Sequence, residues 1–128
     1  MRPEFLDHVV LEVRDVERSL TFYVDLLGLK PERLEEFREG KAPFVSLRAG
    51  PSLIDLFPSR DPKPGPPHFC LAFHDSIAEV AAQLERAGFR PEEPTIRFGA
   101  RGMGQSLYIR DPDGHQVELR SYYPEKPS

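Results

Sequence analysis

The chain has a single cysteine, Cys70, and no tryptophan. One thiol cannot close an internal disulfide, so a packed core has to hold the fold together. No apolar run approaches the roughly 20 residues of a membrane-spanning helix, and the opening "MRPEFLDH" lacks the basic-then-apolar layout of a secretion signal. A cytoplasmic location without a membrane partner is expected. Positive charge is scarce as well: the net charge is -4 and no basic run occurs, which removes the electrostatic reason to expect nucleic acid. With 128 residues, 39% apolar and 30% charged, one domain of common size is expected, and its function must lie in a site.

Proline is abundant. Several of the 14 prolines crowd into "PSRDPKPGPP", residues 58–67. Proline fixes φ and removes a backbone donor, so this stretch reads as a stiff extended linker that divides the chain nearly in half. Sliding the second half over the first by sixty residues pairs "HVVLEVRDVERSLTFYVDLLGLKPE" with "HFCLAFHDSIAEVAAQLERAGFRPE" without a gap. His8, Leu11, Asp15, Gly28, Pro31 and Glu32 recur as His68, Leu71, Asp75, Gly88, Pro91 and Glu92. Asp15 and Asp75 read as helix N-caps. Gly28 and Gly88 suit the left-handed position after a helix, with a proline beyond to prevent its resumption. Val16, Leu20, Tyr23 and Leu27, and then Ile77, Val80, Ala81 and Leu84, recur at helical spacing. Each half is thus a strand, a helix and further strands, giving modules at residues 5–57 and 68–122.

The strand-like runs "FVSLRAGPSLIDLF" and "GQSLYIRDPDGHQVELR" follow the helices, and "DPDG" is a tight-turn signal. If that second turn is about three residues longer than the "GP" turn, "LIDL" falls on "QVEL" and Asp55 on Glu118. Side chains alternate along a strand. Val9, Leu11, Val13, Ile54, Leu56, Phe69, Leu71, Phe73, Val117 and Leu119 then share the helix-covered faces, and His8, Asp55, His68 and Glu118 the opposite ones. The pattern predicts an α+β fold: two βαβββ modules forming a cup-shaped, half-barrel mixed sheet with helices on its outer face.

A lone histidine opening a strand is usually structural. Two at matching points, with carboxylates at the matching far ends, point to a shared cation, because four polar groups on a concave face are costly to desolvate without one. Imidazole and carboxylate donors suit Zn, Ni, Mn, Co or Fe(II) without choosing among them. The plain alternative is that duplication copied the positions and that Asp55 and Glu118 face solvent. Ser106, Tyr108, Arg48 and Arg120 are candidates for substrate binding. His74 and His115 read as surface residues, Cys70 as a packed hydrophobe, and "FGARGMGQ", residues 98–105, as a flexible loop or an anion-binding nest of backbone N–H groups.

The opening "DHVVLEVRDVERSLTFYVDLLGL" and the close "SLYIRDPDGHQVEL" resemble the vicinal oxygen chelate superfamily, which includes glyoxalases, bleomycin-binding proteins, extradiol dioxygenases and fosfomycin-resistance enzymes. The C-terminal half resembles the fosfomycin-resistance members most. The resemblance implies metal ligands at His8, Asp55, His68 and Glu118, and a homodimer whose sites combine halves of two chains. It also implies a small oxygen-rich substrate and a metal acting as Lewis acid, with Glu118 or Asp55 moving a proton in lyase, isomerase or transferase chemistry. Asp55 departs from the longer Glu of the glyoxalases. Glu12 stands where relatives of lactoylglutathione lyase tend to place an Arg for glutathione. Val10 and Phe98 replace the hydroxyl residue and the loop lysine of fosfomycin enzymes. Two other readings stay open: a non-heme Fe(II) dioxygenase using His8, His68 and Glu118, and a metal-free drug-sequestering protein.

Overall fold

Asp15 caps its helix as expected: its side chain accepts from the backbone N–H groups of Glu17 and Arg18 at 3.0 and 3.4 Å. In the second half the cap moves by one residue. Ser76, not Asp75, accepts from the N–H of Glu79 at 3.3 Å. "SIAE" places a hydroxyl residue three positions before a glutamate, which is the capping-box spacing. Asp75 instead accepts from the Gln83 amide at 2.9 Å. Gly28 and Gly88 adopt φ of 82° and 92°, the left-handed conformation that ends each helix without a Cβ penalty.

These details come from a computed structural model, which describes residues 1–124. The chain divides into two compact units, Met1–Gly65 and a second beginning at Pro66. The first contains β1 (His8–Val13), α1 (Val16–Leu20), β2 (Lys30–Glu32), α2 (Leu34–Arg38), β3 (Val45–Ala49) and β4 (Ser52–Pro58). The second contains β5 (Phe69–Phe73), α3 (Ile77–Arg86), β6 (Thr95–Gly99), β7 (Gly102–Arg110) and β8 (Gln116–Ser121). The fold is α+β, and each unit carries one open four-stranded mixed sheet, ordered β1-β4-β3-β2 and β5-β8-β7-β6. β1 runs parallel to β4 and β5 to β8. Parallel neighbours require a long crossover, and α1 and α3 lie in those crossovers.

α1 continues into a wider turn over Thr21–Leu26, where the N–H of Leu27 reaches the carbonyl of Phe22. The extra residue in that turn brings two sequence neighbours, Phe22 and Tyr23, into the core together, edge to face at 4.8 Å. Leu27 is only half-buried as a result. The core of the first unit is built on Leu11, Val13, Leu20, Tyr23, Leu47 and Leu56, and that of the second on Ile77, Leu84, Leu107, Val117 and Leu119. Phe69, Leu71 and Phe73, expected to be buried, are half-exposed, because α3 packs mainly over β7 and β8.

The two turns differ as expected. Two residues, 50 and 51, join β3 to β4, and five, 111–115, join β7 to β8. Val10 therefore pairs with Asp55 and Cys70 with Glu118, at equivalent registers. Two expectations fail. Residues 98–105 form neither a flexible loop nor a nest: they belong to the β6–β7 hairpin. His115 is buried, because the Asp111 carboxylate accepts from its N–H at 2.8 Å and folds the turn over it. Among the described residues no helix is long and apolar enough to cross a membrane.

The cap assignment gives a direct test. Ser76→Ala should lower stability by about 1 kcal/mol in urea unfolding, and Asp75→Ala by clearly less.

Candidate metal-ligating site

Strand alternation puts Asp55 and Glu118 on the sheet faces opposite the helices, and both carboxylates are buried there. Each is held by one oxygen and presents the other to a histidine. In the first unit the Ser46 hydroxyl donates to Asp55 Oδ1 at 2.6 Å, and Oδ2 faces His8 Nε2 at 4.0 Å. In the second the Ser106 hydroxyl donates to Glu118 Oε2 at 2.6 Å, and Oε1 faces His68 Nε2 at 3.2 Å. Ser46 lies directly across from Asp55. Ser106 lies across from Arg120, two residues beyond Glu118, and reaches the longer side chain diagonally. Both imidazoles are about half exposed.

Second interactions orient the rings. His8 Nδ1 lies 2.8 Å from Asp7 Oδ1, and Nε2 is the ring nitrogen nearer Asp55. Asp7 raises the His8 pKa, outweighing desolvation. The His68 ring packs edge-on to Tyr108 at 6.0 Å. Burial alone would raise the Glu118 pKa, but hydrogen bonds from Ser106 and Arg120 outweigh it and hold the pKa below the ordinary carboxylate value. Glu118 is therefore ionised at neutral pH.

Arg120 is itself buried, 4% exposed. Its Nε and Nη2 donate to Glu118 Oε2 at 3.3 and 3.0 Å. Nη2 also reaches the carbonyl of Phe98, and Nη1 reaches that of Arg97 and the Tyr122 hydroxyl. All five guanidinium N–H groups are thus engaged within the protein. Ser106 is likewise buried and bonded to Glu118, and Arg48 forms a two-bond pair with Glu32 across β2 and β3 at 2.7 and 3.3 Å. These side chains serve the protein's own polar groups. Tyr108 remains partly exposed beside His68.

A cavity of about 420 Å³ in the second unit opens over His68, Glu118 and Arg120, with Phe98, Tyr122 and Tyr123 among its walls. Cys70 is exposed on its wall and not packed as expected; partial desolvation, then the Glu118 carboxylate, push its thiol up to about 11, so it is protonated at neutral pH.

The profile of the Glyoxalase/Bleomycin resistance protein/Dioxygenase superfamily matches residues 5–119. The chain belongs to this superfamily. It is 33% identical to glyoxalase domain-containing protein RDO1 of Mycosarcoma maydis, over 94% of this chain and 70% of that protein. The crystal structure of virulence protein STM3117 from Salmonella typhimurium superposes with a TM-score of 0.81 at 30% identity, covering 96% of this chain and all of that one. Catechol-2,3-dioxygenase of Bacillus subtilis is 30% identical over 95% of this chain, which spans 42% of that protein.

Members of the glyoxalase superfamily typically use divalent metals, and each unit here pairs one imidazole with one carboxylate, donor types such ions take. Two ligands on a shared ion, each about 2.1 Å from it, lie about 3.0 Å apart at a right angle and about 3.4 Å apart in a tetrahedron. His68 and Glu118 match this spacing. His8 and Asp55 stand wider and must close by a fraction of an ångström. Among the described residues no group of three or more His, Cys, Asp or Glu side chains gathers as a cation site, so each unit offers a pair.

The sequence reading missed the packing around Arg120. A Cβ on Gly99 would collide with the guanidinium and with Tyr122, and one on Gly104 would press on Tyr122 at 3.1 Å. Glycines 99 and 104 in a strand-like run were the available signal of a close approach on one sheet face.

The lowered Glu118 pKa sets an acid-side stability. A depressed carboxyl stabilises the fold above its unfolded pKa, and that contribution disappears as pH falls through the folded value. Glu118→Gln should therefore show a shallower loss of stability than the parent in urea unfolding from about pH 6 to about pH 3.

Proposed function

We propose that this superfamily member is a divalent-metal-dependent enzyme acting on a small oxygen-rich substrate, by lyase, isomerase or transferase chemistry. The observation that carries the reading is the repeated clamp. In each unit a serine holds one carboxylate oxygen while the other faces an imidazole nitrogen. His8, Asp55, His68 and Glu118 are the proposed ligands. Each pair gives a cation two protein donors, and the chain is proposed to act as a homodimer.

A bound divalent cation supplies Lewis acidity, stabilising negative charge that develops on neighbouring substrate oxygens. The protein's residues do the rest. Glu118, bonded by Ser106 and Arg120, is the fixed donor. Asp55 Oδ2 has the looser imidazole contact, so Asp55 is the carboxylate placed to accept and return a proton. The cavity beside His68 receives the substrate, and its aromatic walls exclude water.

The 4.0 Å separation of His8 and Asp55 favours one second reading. If Asp55 stays off the ion, His8, His68 and Glu118 form the two-imidazole, one-carboxylate set of non-heme Fe(II) oxygenases, in keeping with the similarity to a protein named catechol-2,3-dioxygenase.

Elemental analysis of the anaerobically purified protein separates these readings. A near-stoichiometric divalent metal that is lost in His68→Ala supports the metal enzyme, and iron as that metal favours the dioxygenase. Equal trace metal in parent and variant would remove both, leaving a metal-free binding role for the cavity.

A further inference from the structure

The two clamps are not equivalent. Along the face opposite the helices, the residue two beyond the carboxylate is Phe57 in the first unit and Arg120 in the second. Phe57 stacks on Phe44 at 4.4 Å and brings no charge to Asp55. Arg120 brings a full positive charge to Glu118 in a site almost closed to solvent.

We propose, building on the metal-binding reading above, that Arg120 is a positioning residue with a charge function: it is the resident counter-ion of Glu118, which keeps that ligand folded and oriented in the metal-free protein and moderates its hold on a divalent cation. Three observations carry this. Arg120 donates twice to Oε2, leaving Oε1 as the oxygen directed at His68. The guanidinium has no donor left for a substrate, because its remaining N–H groups bind Arg97, Phe98 and Tyr122. The β6–β7 hairpin is shaped around it, since Gly99 has no room for a Cβ there.

The physical consequence follows from Coulomb's law in a poorly solvated site. A cation arriving at Oε1 meets a carboxylate already neutralised through Oε2, and it is repelled by the fixed guanidinium. Removing the guanidinium charge strengthens the attraction for the cation. It also leaves Glu118 buried without its counter-ion when no cation is bound. Metal affinity and metal-free stability should therefore move in opposite directions, which a merely structural arginine would not cause.

The test is titration of the full chain with Mn²⁺ alone, read by calorimetry and by the melting temperature with and without the ion. Arg120→Met should bind Mn²⁺ roughly tenfold more tightly or better, melt earlier than the parent without metal, and recover most of that loss with it. Gly99→Ala crowds the guanidinium and the Tyr122 hydroxyl while leaving Arg120 and Glu118 unmutated, and it should shift both quantities in the same direction. It decides the matter if Arg120→Met does not fold. Arg120→Lys keeps the charge and should stay near the parent affinity. Unchanged or weaker Mn²⁺ binding in both Arg120→Met and Gly99→Ala overturns the counter-ion role, as does an equal shift in Arg120→Lys. Absence of Mn²⁺ binding in the parent overturns the metal reading, and the role of Arg120 with it.

Discussion

Glu118 is 4% exposed and ionised, and a single one of its oxygens takes the Ser106 hydroxyl and two guanidinium N–H groups. Burying a carboxylate costs several kcal/mol unless its lone pairs are satisfied, and those three donors offset that cost at Oε2 alone. Oε1 is left directed at His68. The rest of the second unit is arranged around this asymmetric solvation. β7 carries Ser106 and Tyr108 to the carboxylate, β6 lends two carbonyls to Arg120, and glycine at positions 99 and 104 leaves room for Arg120 and Tyr122.

The first unit meets the same requirement with fewer parts. Asp55 is shorter, so its serine comes from the residue directly across the strand pair rather than from a diagonal neighbour. No arginine is needed, and the position is filled by a stacked aromatic pair. The two units thus share the imidazole, the carboxylate and the serine and differ in the counter-ion. Glu118 accepts from Ser106 and Arg120, and Asp55 from Ser46.

Much of this was legible in the sequence. The sixty-residue repeat and strand alternation placed His8, Asp55, His68 and Glu118 on the faces away from the helices, because strand periodicity depends only on local backbone geometry. The three-residue difference in turn length was readable from "DPDG" against "GP". What local patterns could not reveal was tertiary. Whether Ser106, Arg48 and Arg120 address a substrate or the protein's own carboxylates depends on partners across strands. The half-exposure of Phe69, Leu71 and Phe73 depends on where α3 packs across the sheet. The short α2 helix, "LEEFR", is too charged and brief to show a period. His115 was placed at the surface because it follows a turn, yet that turn folds over it.

The proposed function makes each imidazole–carboxylate pair a source of ligands for a divalent ion. X-ray absorption at the metal edge of the loaded protein tests this most directly, because it distinguishes imidazole scattering from other light-atom ligands and detects sulfur. Imidazole nitrogen and oxygen at the ion, with no sulfur, is the predicted result. An ion without imidazole, or one bound by sulfur from Cys70, would contradict it.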